Sequence, residues 1–208
     1  MKHLALCVLT AAVCSACANG GTSSQGRRIG TGLVVEYGLA HSGVEPKAGL
    51  QAMSDKGARL FGGMMEGWYG GASTNSYIAG HLPKTVRVTW RTDTVPGQRF
   101  TTGRVIGDYL IEVDKRVPDE VIRYANAGPG RALRLVFRIK DDGVLFGWDV
   151  EEVVSHPAGG SGLVYAMRGG DVPCYDLPRV ANASQNCTEG PLEKAAWFNP
   201  QWIRGRKS

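Results

Sequence analysis

Side chains that carry enzymatic chemistry are thinly spread in this sequence. Four histidines occur in 208 residues. His41, His81 and His156 stand apart, without the i, i+4 spacing that puts two metal ligands on one helical face. Five cysteines include no Cys-x-x-Cys, which argues against a zinc ribbon or a thiol redox centre. No Gly-x-x-x-x-Gly-Lys-Ser/Thr occurs, and the glycine clusters do not join a strand to a helix, so phosphate cradling is not indicated. Gly160-Ser161-Gly162 fails as a hydrolase elbow because Leu163 stands where that pattern needs glycine. A Ser161, His156 and Asp149 trio is of the kind any chain this long offers by chance. Asp141-Asp142 and Glu151-Glu152 read as solvated turn and strand-end carboxylates. The expectation is a protein that is not an enzyme and has no cofactor and no metal.

Proline is also sparse, 10 residues against 29 glycines, which favours a turn-rich β protein over a helical bundle. The sole apolar run near the start, Leu4 to Val13, is too short to span a bilayer. Preceded by Lys2 and followed by Cys14-Ser15-Ala16-Cys17-Ala18, it reads as a secretory signal, residues 1–16. Cleavage before Cys17 would leave a cysteine able to carry lipid, whereas cleavage after Ala18 fits an ordinary small-residue site. The small residues Ser15 and Ala16 favour lipidation at Cys17. Residues 17–30, polar and glycine-rich, read as the lipidated cysteine and a flexible tether, and residues 31–208 as a single globular β-rich domain.

With Cys7 and Cys14 in the leader and Cys17 at the lipid position, Cys174 and Cys187 remain as a pair. In an oxidising compartment a disulfide between them closes a loop of about 14 residues, worth roughly 3 kcal/mol in the chain-entropy treatment. Two free buried thiols are the alternative. The formal charge of +5 is a mild basic bias. For an exported chain it points to anionic head groups or an acidic protein surface, and not to nucleic acid.

Alternation places a strand at Gly32 to Leu39 and a half-buried antiparallel strand at Thr85 to Arg91, with Val86, Val88 and Trp90 inward. Between them, from Ala40 to His81, closely spaced glycines suggest a long loop carrying Phe61, Met64, Met65, Trp68, Tyr69 and Tyr77. Phe100 to Gly103 and Arg104 to Val113 read as β-like, with Ile106, Tyr109, Ile111 and Val113 as apolar positions. Pro118-Asp119-Glu120 opens a short helix that Gly128-Pro129 stops. Arg131 to Glu151 reads as a hairpin turning at Asp141-Asp142-Gly143, its outer face pairing Arg134 and Arg138 with Asp149 and Glu151 in solvent. A short strand follows at Leu163 to Met167, and Trp197 and Trp202 suggest a docked C-terminal end above a basic tail. The fold class expected is α+β, β-rich: an antiparallel sheet or sandwich with one short helix.

The cysteine-ended leader, Tyr37-Gly38-Leu39-Ala40-His41, the segment Leu82-Pro83-Lys84-Thr85-Val86-Arg87-Val88-Thr89-Trp90 and the Leu135-Val136-Phe137 hairpin resemble small bacterial lipoproteins. Several of these accompany type VI secretion phospholipase effectors as periplasmic immunity proteins. The resemblance covers roughly residues 1–150. It implies a protein-binding role: an anchored domain, on the outer membrane in preference, that blocks a secreted phospholipase. The anchors for such a partner would be Trp68 and Tyr69 with Arg87, Arg91, Arg134 and Arg138. A structural or assembly lipoprotein of the cell envelope is the alternative class.

Overall fold

The computed structural model describes residues 27–29, 32–40, 43–66, 80–155 and 160–171, and the backbone of 73–77. The leader, Cys17, Trp68, Tyr69, His41, His156, Cys174, Cys187, Trp197 and Trp202 lie outside the described residues, and so do the expectations attached to them.

In chain order the elements are β1 (Leu33–Leu39), β2 (Lys47–Ser54), β3 (Arg59–Met65), β4 (Ser73–Tyr77), β5 (Val86–Thr92), β6 (Arg104–Ile111), α1 (Val113–Arg116), α2 (Asp119–Asn126), β7 (Arg131–Ile139), β8 (Val144–Ser155) and β9 (Ser161–Gly170). The strands form a five-stranded sheet ordered β4-β1-β7-β8-β9 and a four-stranded sheet ordered β3-β2-β5-β6. This is a β-rich α+β fold, as the composition implied. Every pairing is antiparallel except β1 with β7, which run parallel over seven residue pairs from Leu33↔Leu133 to Leu39↔Ile139. That long-range pairing leaves no local signal, because the whole of the other sheet lies between the two strands in the chain.

Alternation holds where it was clearest. On β1 and β7, Leu33, Val35 and Leu39 lie beside Leu133, Leu135 and Ile139, all buried. The hairpin β7–β8 pairs Leu133↔Val150, Phe137↔Phe146 and Ile139↔Val144. Helix α2 starts on Pro118, carries Asp119 and Glu120 in its first turn and Arg123 in its last, and buries Val121, Ile122 and Ala125. A second, four-residue helix, α1, precedes it.

The long loop expected between Ala40 and His81 is instead mostly sheet: β2, β3 and β4 all fall within it. At Gly62 the glycine marks close approach, and not an absence of structure. A Cβ on Gly62, inside β3, would lie 2.8 Å from the Leu50 carbonyl oxygen and 3.3 Å from the Phe100 ring. Phe61, next to it, is buried at the junction of the sheets. Its ring stacks on Tyr37 at 4.4 Å and 9°, and lies 5.3 Å from Phe137. Phe100 to Gly103 is a turn, since Thr101 and Thr102 amides bond back to the Gln98 carbonyl. Ile106 faces solvent, because it is the extra residue of a β-bulge between Gly107↔Trp90 and Val105↔Arg91.

Two cations tie distant segments together. Lys47, on β2, is buried; its ammonium bonds the Glu45 carbonyl at 2.8 Å and the carboxylate of Asp141 in the β7–β8 turn. Arg27 donates to Asp114 at 2.9 Å, to Asp119 at 2.6 Å and to the Val117 carbonyl at 2.7 Å. With Ile29 buried in the core, this holds residues 27–29 against the α1–α2 end of the domain.

Candidate binding surface

The register of the four-stranded sheet builds its solvent face row by row, since residues directly opposite across antiparallel strands share a face. One row runs Arg59, Met53, Arg87, Leu110; the next runs Gly62, Gln51, Thr89, Asp108; a third runs Ala48, Arg91, Val105. None of these side chains is buried. The opposite face, with Ala52, Val88, Trp90 and Ile111, belongs to the core. Gly107 is required on that inner side: a Cβ there would lie 2.1 Å from the Trp90 indole, which stacks on Tyr109 at 5.2 Å.

Arg87 and Arg91, named from sequence as partner anchors, therefore lie together on one exposed face. Arg87 holds Asp108 by two nitrogens, Nε at 2.6 Å. That hydrogen bond lowers the Asp108 carboxyl below the usual carboxylate range and raises Arg87. Arg91 donates to the Gly103 carbonyl at 3.0 Å. The sequence did not single out Arg59, Met53, Leu110 or Phe100 as members of this face. The Arg59 guanidinium sits 5.4 Å from the Phe100 ring, and Phe100 comes from the β5–β6 loop folded back over Gly62. Three arginines against one aspartate leave the rows positive. Arginine, methionine and one aromatic ring thus share this face with exposed Leu110.

Arg134 and Arg138 are not on this surface. They lie on the far face of the five-stranded sheet, where Glu36, Arg134, Arg138 and Asp149 are 5%, 3%, 3% and 0% exposed. The solvated pairing expected for them is corrected by that burial and by the register. Arg134 does face Asp149, with Nε at 2.8 Å and Nη2 at 2.6 Å from its two carboxylate oxygens. Arg138 sits opposite Leu145 and reaches across β7 to Glu36 on β1, which also binds Arg134. The Tyr165 ring of β9 stacks 3.9 Å from the Arg134 guanidinium. Burial works to lower the Arg134 pKa, but Asp149 and Glu36 outweigh it and the value is raised. Burial pushes the Glu151 carboxyl up, with Arg134 opposing.

Met167, at φ 55°, is the strained point of a bulge in which Trp148 pairs with Gly169 and Val150 with Ala166. Within that bulge Arg168 has its Nε 4.0 Å from Asp149. One acidic and two basic residues within neighbouring strands, Glu36 against Arg134 and Arg138, were the available signal for this cluster. It went unread because β1 and β7 are not adjacent in sequence. Asp149 is thus fully engaged, and it stands six residues along β8 from Ser155, the residue paired with Ser161. At ~3.3 Å per residue that is about 20 Å, so Asp149 and Ser161 do not form a shared catalytic centre.

Among the described residues no group of three His, Cys, Asp or Glu side chains is placed to hold a metal ion, and no helix is long and apolar enough to cross a membrane. Set against protein-family models, curated proteins and solved structures, the chain gives no match in any of the three. The fold and surface define a class, a two-sheet β-rich α+β domain with one basic, partly apolar sheet face.

Proposed function

We propose that the chain is a membrane-tethered periplasmic binding protein, an immunity protein that docks on a secreted type VI phospholipase effector through the solvent face of β3-β2-β5-β6. The observation that carries this reading is the convergence of Arg59, Arg87 and Arg91 with Met53, Phe100 and Leu110 on one sheet face. A rigid sheet presents these groups with little ordering cost on binding. Guanidinium groups meet acidic side chains bidentately, and the apolar members supply a desolvated centre. No nucleophile is needed, since such a protein works by covering its opponent's substrate entrance. A lipid on Cys17 would hold the domain where an attack on phospholipid occurs.

The experiment is protection. Full-length chain is expressed in the periplasm of a bacterium exposed to a type VI phospholipase effector. Survival with the unaltered chain, and its loss on Arg59→Glu, Arg87→Glu and Arg91→Glu together, is the expected result. Killing at equal rates with and without the chain contradicts it. Recovery of only cell-wall components by periplasmic cross-linking would favour the structural lipoprotein.

A further inference from the structure

The far face of the five-stranded sheet is buried although no described element lies over it. Glu36 on β1, Arg134, Val136 and Arg138 on β7, and Gly147 and Asp149 on β8 belong to this face, and all six are buried. The four-stranded sheet packs on the opposite face, where Phe61 meets Tyr37 and Phe137. Helix α2 adds Val121, Ile122 and Ala125 to that same core. Val136, only 1% exposed, stands outside the core cluster. Arginines beside a valine on a bare sheet would keep contact with water, so a layer of chain covers this area. The cover is local. Val153 and Leu163, an opposed pair on the same face toward the other end of β8 and β9, remain 43% and 46% exposed.

We propose that the covering layer is the C-terminal segment of the chain, residues 172–208. Its starting point is fixed beside the covered area. Gly170 pairs with Gly147 at the end of β9 away from Val153 and Leu163. The next residue, Asp171, donates its amide to the Phe146 carbonyl at 2.8 Å, accepts the Phe146 amide at 3.1 Å and binds Arg116 at 2.8 Å. Neighbouring strands lie ~4.8 Å apart, so the chain leaves the sheet at the margin of the buried patch.

Length and composition select the same segment. The outer two of the three strands β1, β7 and β8 are about 10 Å apart, more than the pieces 30–31, 41–42, 78–79 and 156–159 can cross and cover. Residues 67–72 are taken up in carrying the chain from β3 of one sheet to β4 of the other. Residues 1–16 are the expected leader, and 17–26 hold no large apolar side chain. Residues 172–208 number 37 and carry Tyr175, Leu177, Trp197, Phe198, Trp202 and Ile203, which can lie over Val136 and exclude water from the ion pairs around it. Glu36, Arg134, Arg138 and Asp149 then exchange hydration for one another. The cover leaves the face of β3-β2-β5-β6 open, so this inference stands independently of the partner proposed above.

Photo-cross-linking within the purified full-length chain tests it. The photoreactive residue p-benzoylphenylalanine replaces Leu145 in one variant and Val34 in another, both half-buried on the covered face, and unchanged thermal melts show that each folds. Irradiation should give adducts at monomer mass that map to residues 172–208. The same probe at Ile106, exposed on the other sheet, should capture none of these residues. Adducts confined to 1–26 or 67–72, adducts only at twice the monomer mass, or no adduct from either Leu145 or Val34 overturns the proposal. Equal capture of 172–208 from Ile106 also overturns it, because the segment would then have no preferred seat.

Discussion

Arg87 and Arg134 each grip an aspartate of the next strand with two nitrogens, Arg134 directly across from Asp149 and Arg87 diagonally from Asp108. Their surroundings differ completely. The Arg87–Asp108 pair stands in water on the four-stranded sheet, where each charge keeps most of its hydration and the pair adds little to stability. The Arg134–Asp149 pair is buried on the five-stranded sheet, with Glu36 and Tyr165 closing the remaining sides. There the charges have lost water, and each depends on its partners. The same two residue types thus form a solvated pair on the face of one sheet and an internal lock in the other. Solvent access, not residue identity, separates the two roles.

The largest effect should come from breaking the lock. Arg134→Met leaves the Glu36 and Asp149 carboxylates buried without their main cation, a loss of about 3–5 kcal/mol measured as a fall in the urea midpoint at unchanged m-value. A smaller loss is expected where the exposed sheet meets the core. Gly107→Ala places a methyl 2.1 Å from the Trp90 ring position and should cost about 1–3 kcal/mol, the usual range for overpacking, read from thermal melting.

The pH dependence sharpens the comparison further. Glu151 has a folded pKa raised by burial, so its contribution is complete below its unfolded carboxyl value and is lost as pH rises through the raised folded value. Asp108 runs the other way. Its folded pKa is lowered, so its contribution is present above the unfolded value and is lost as pH falls through the folded one. Urea midpoints across the acid range should therefore show Glu151→Gln removing part of a decline toward neutral pH. Asp108→Asn should flatten the fall toward low pH, at a small cost at neutral pH.

The smallest effect on stability belongs to Arg87→Met, whose midpoint at neutral pH should fall only by the small contribution of the solvated Asp108 pair. Its consequence should appear in effector binding instead, as weaker association with a shallower salt dependence.

What the sequence disclosed follows from the range of each interaction. The β7–β8 hairpin is written locally, in two alternating runs around Asp141-Asp142-Gly143, and so is α2, between Pro118 and Gly128. Strands β2 and β3 carry Gly49, Gly62 and Gly63, which read as breakers; Gly49 and Gly62 sit under Arg99 and Phe100, contacts that no local pattern announces. The candidate face was half legible. Arg87 and Arg91 announced themselves on a polar strand face, whereas Arg59 and Met53 joined them only through the β2–β3 and β2–β5 registers. Arg134 and Arg138 misled for a related reason. Strand alternation tells which face a residue is on, but not whether that face meets water.

A paired urea titration of Arg134→Met and Arg87→Met, carried out on the full-length chain at neutral pH, tests that distinction most directly. A large drop in midpoint for the first and a small one for the second is the predicted result. Equal losses, or a greater loss for Arg87→Met, would contradict the division between an internal lock and an open recognition face.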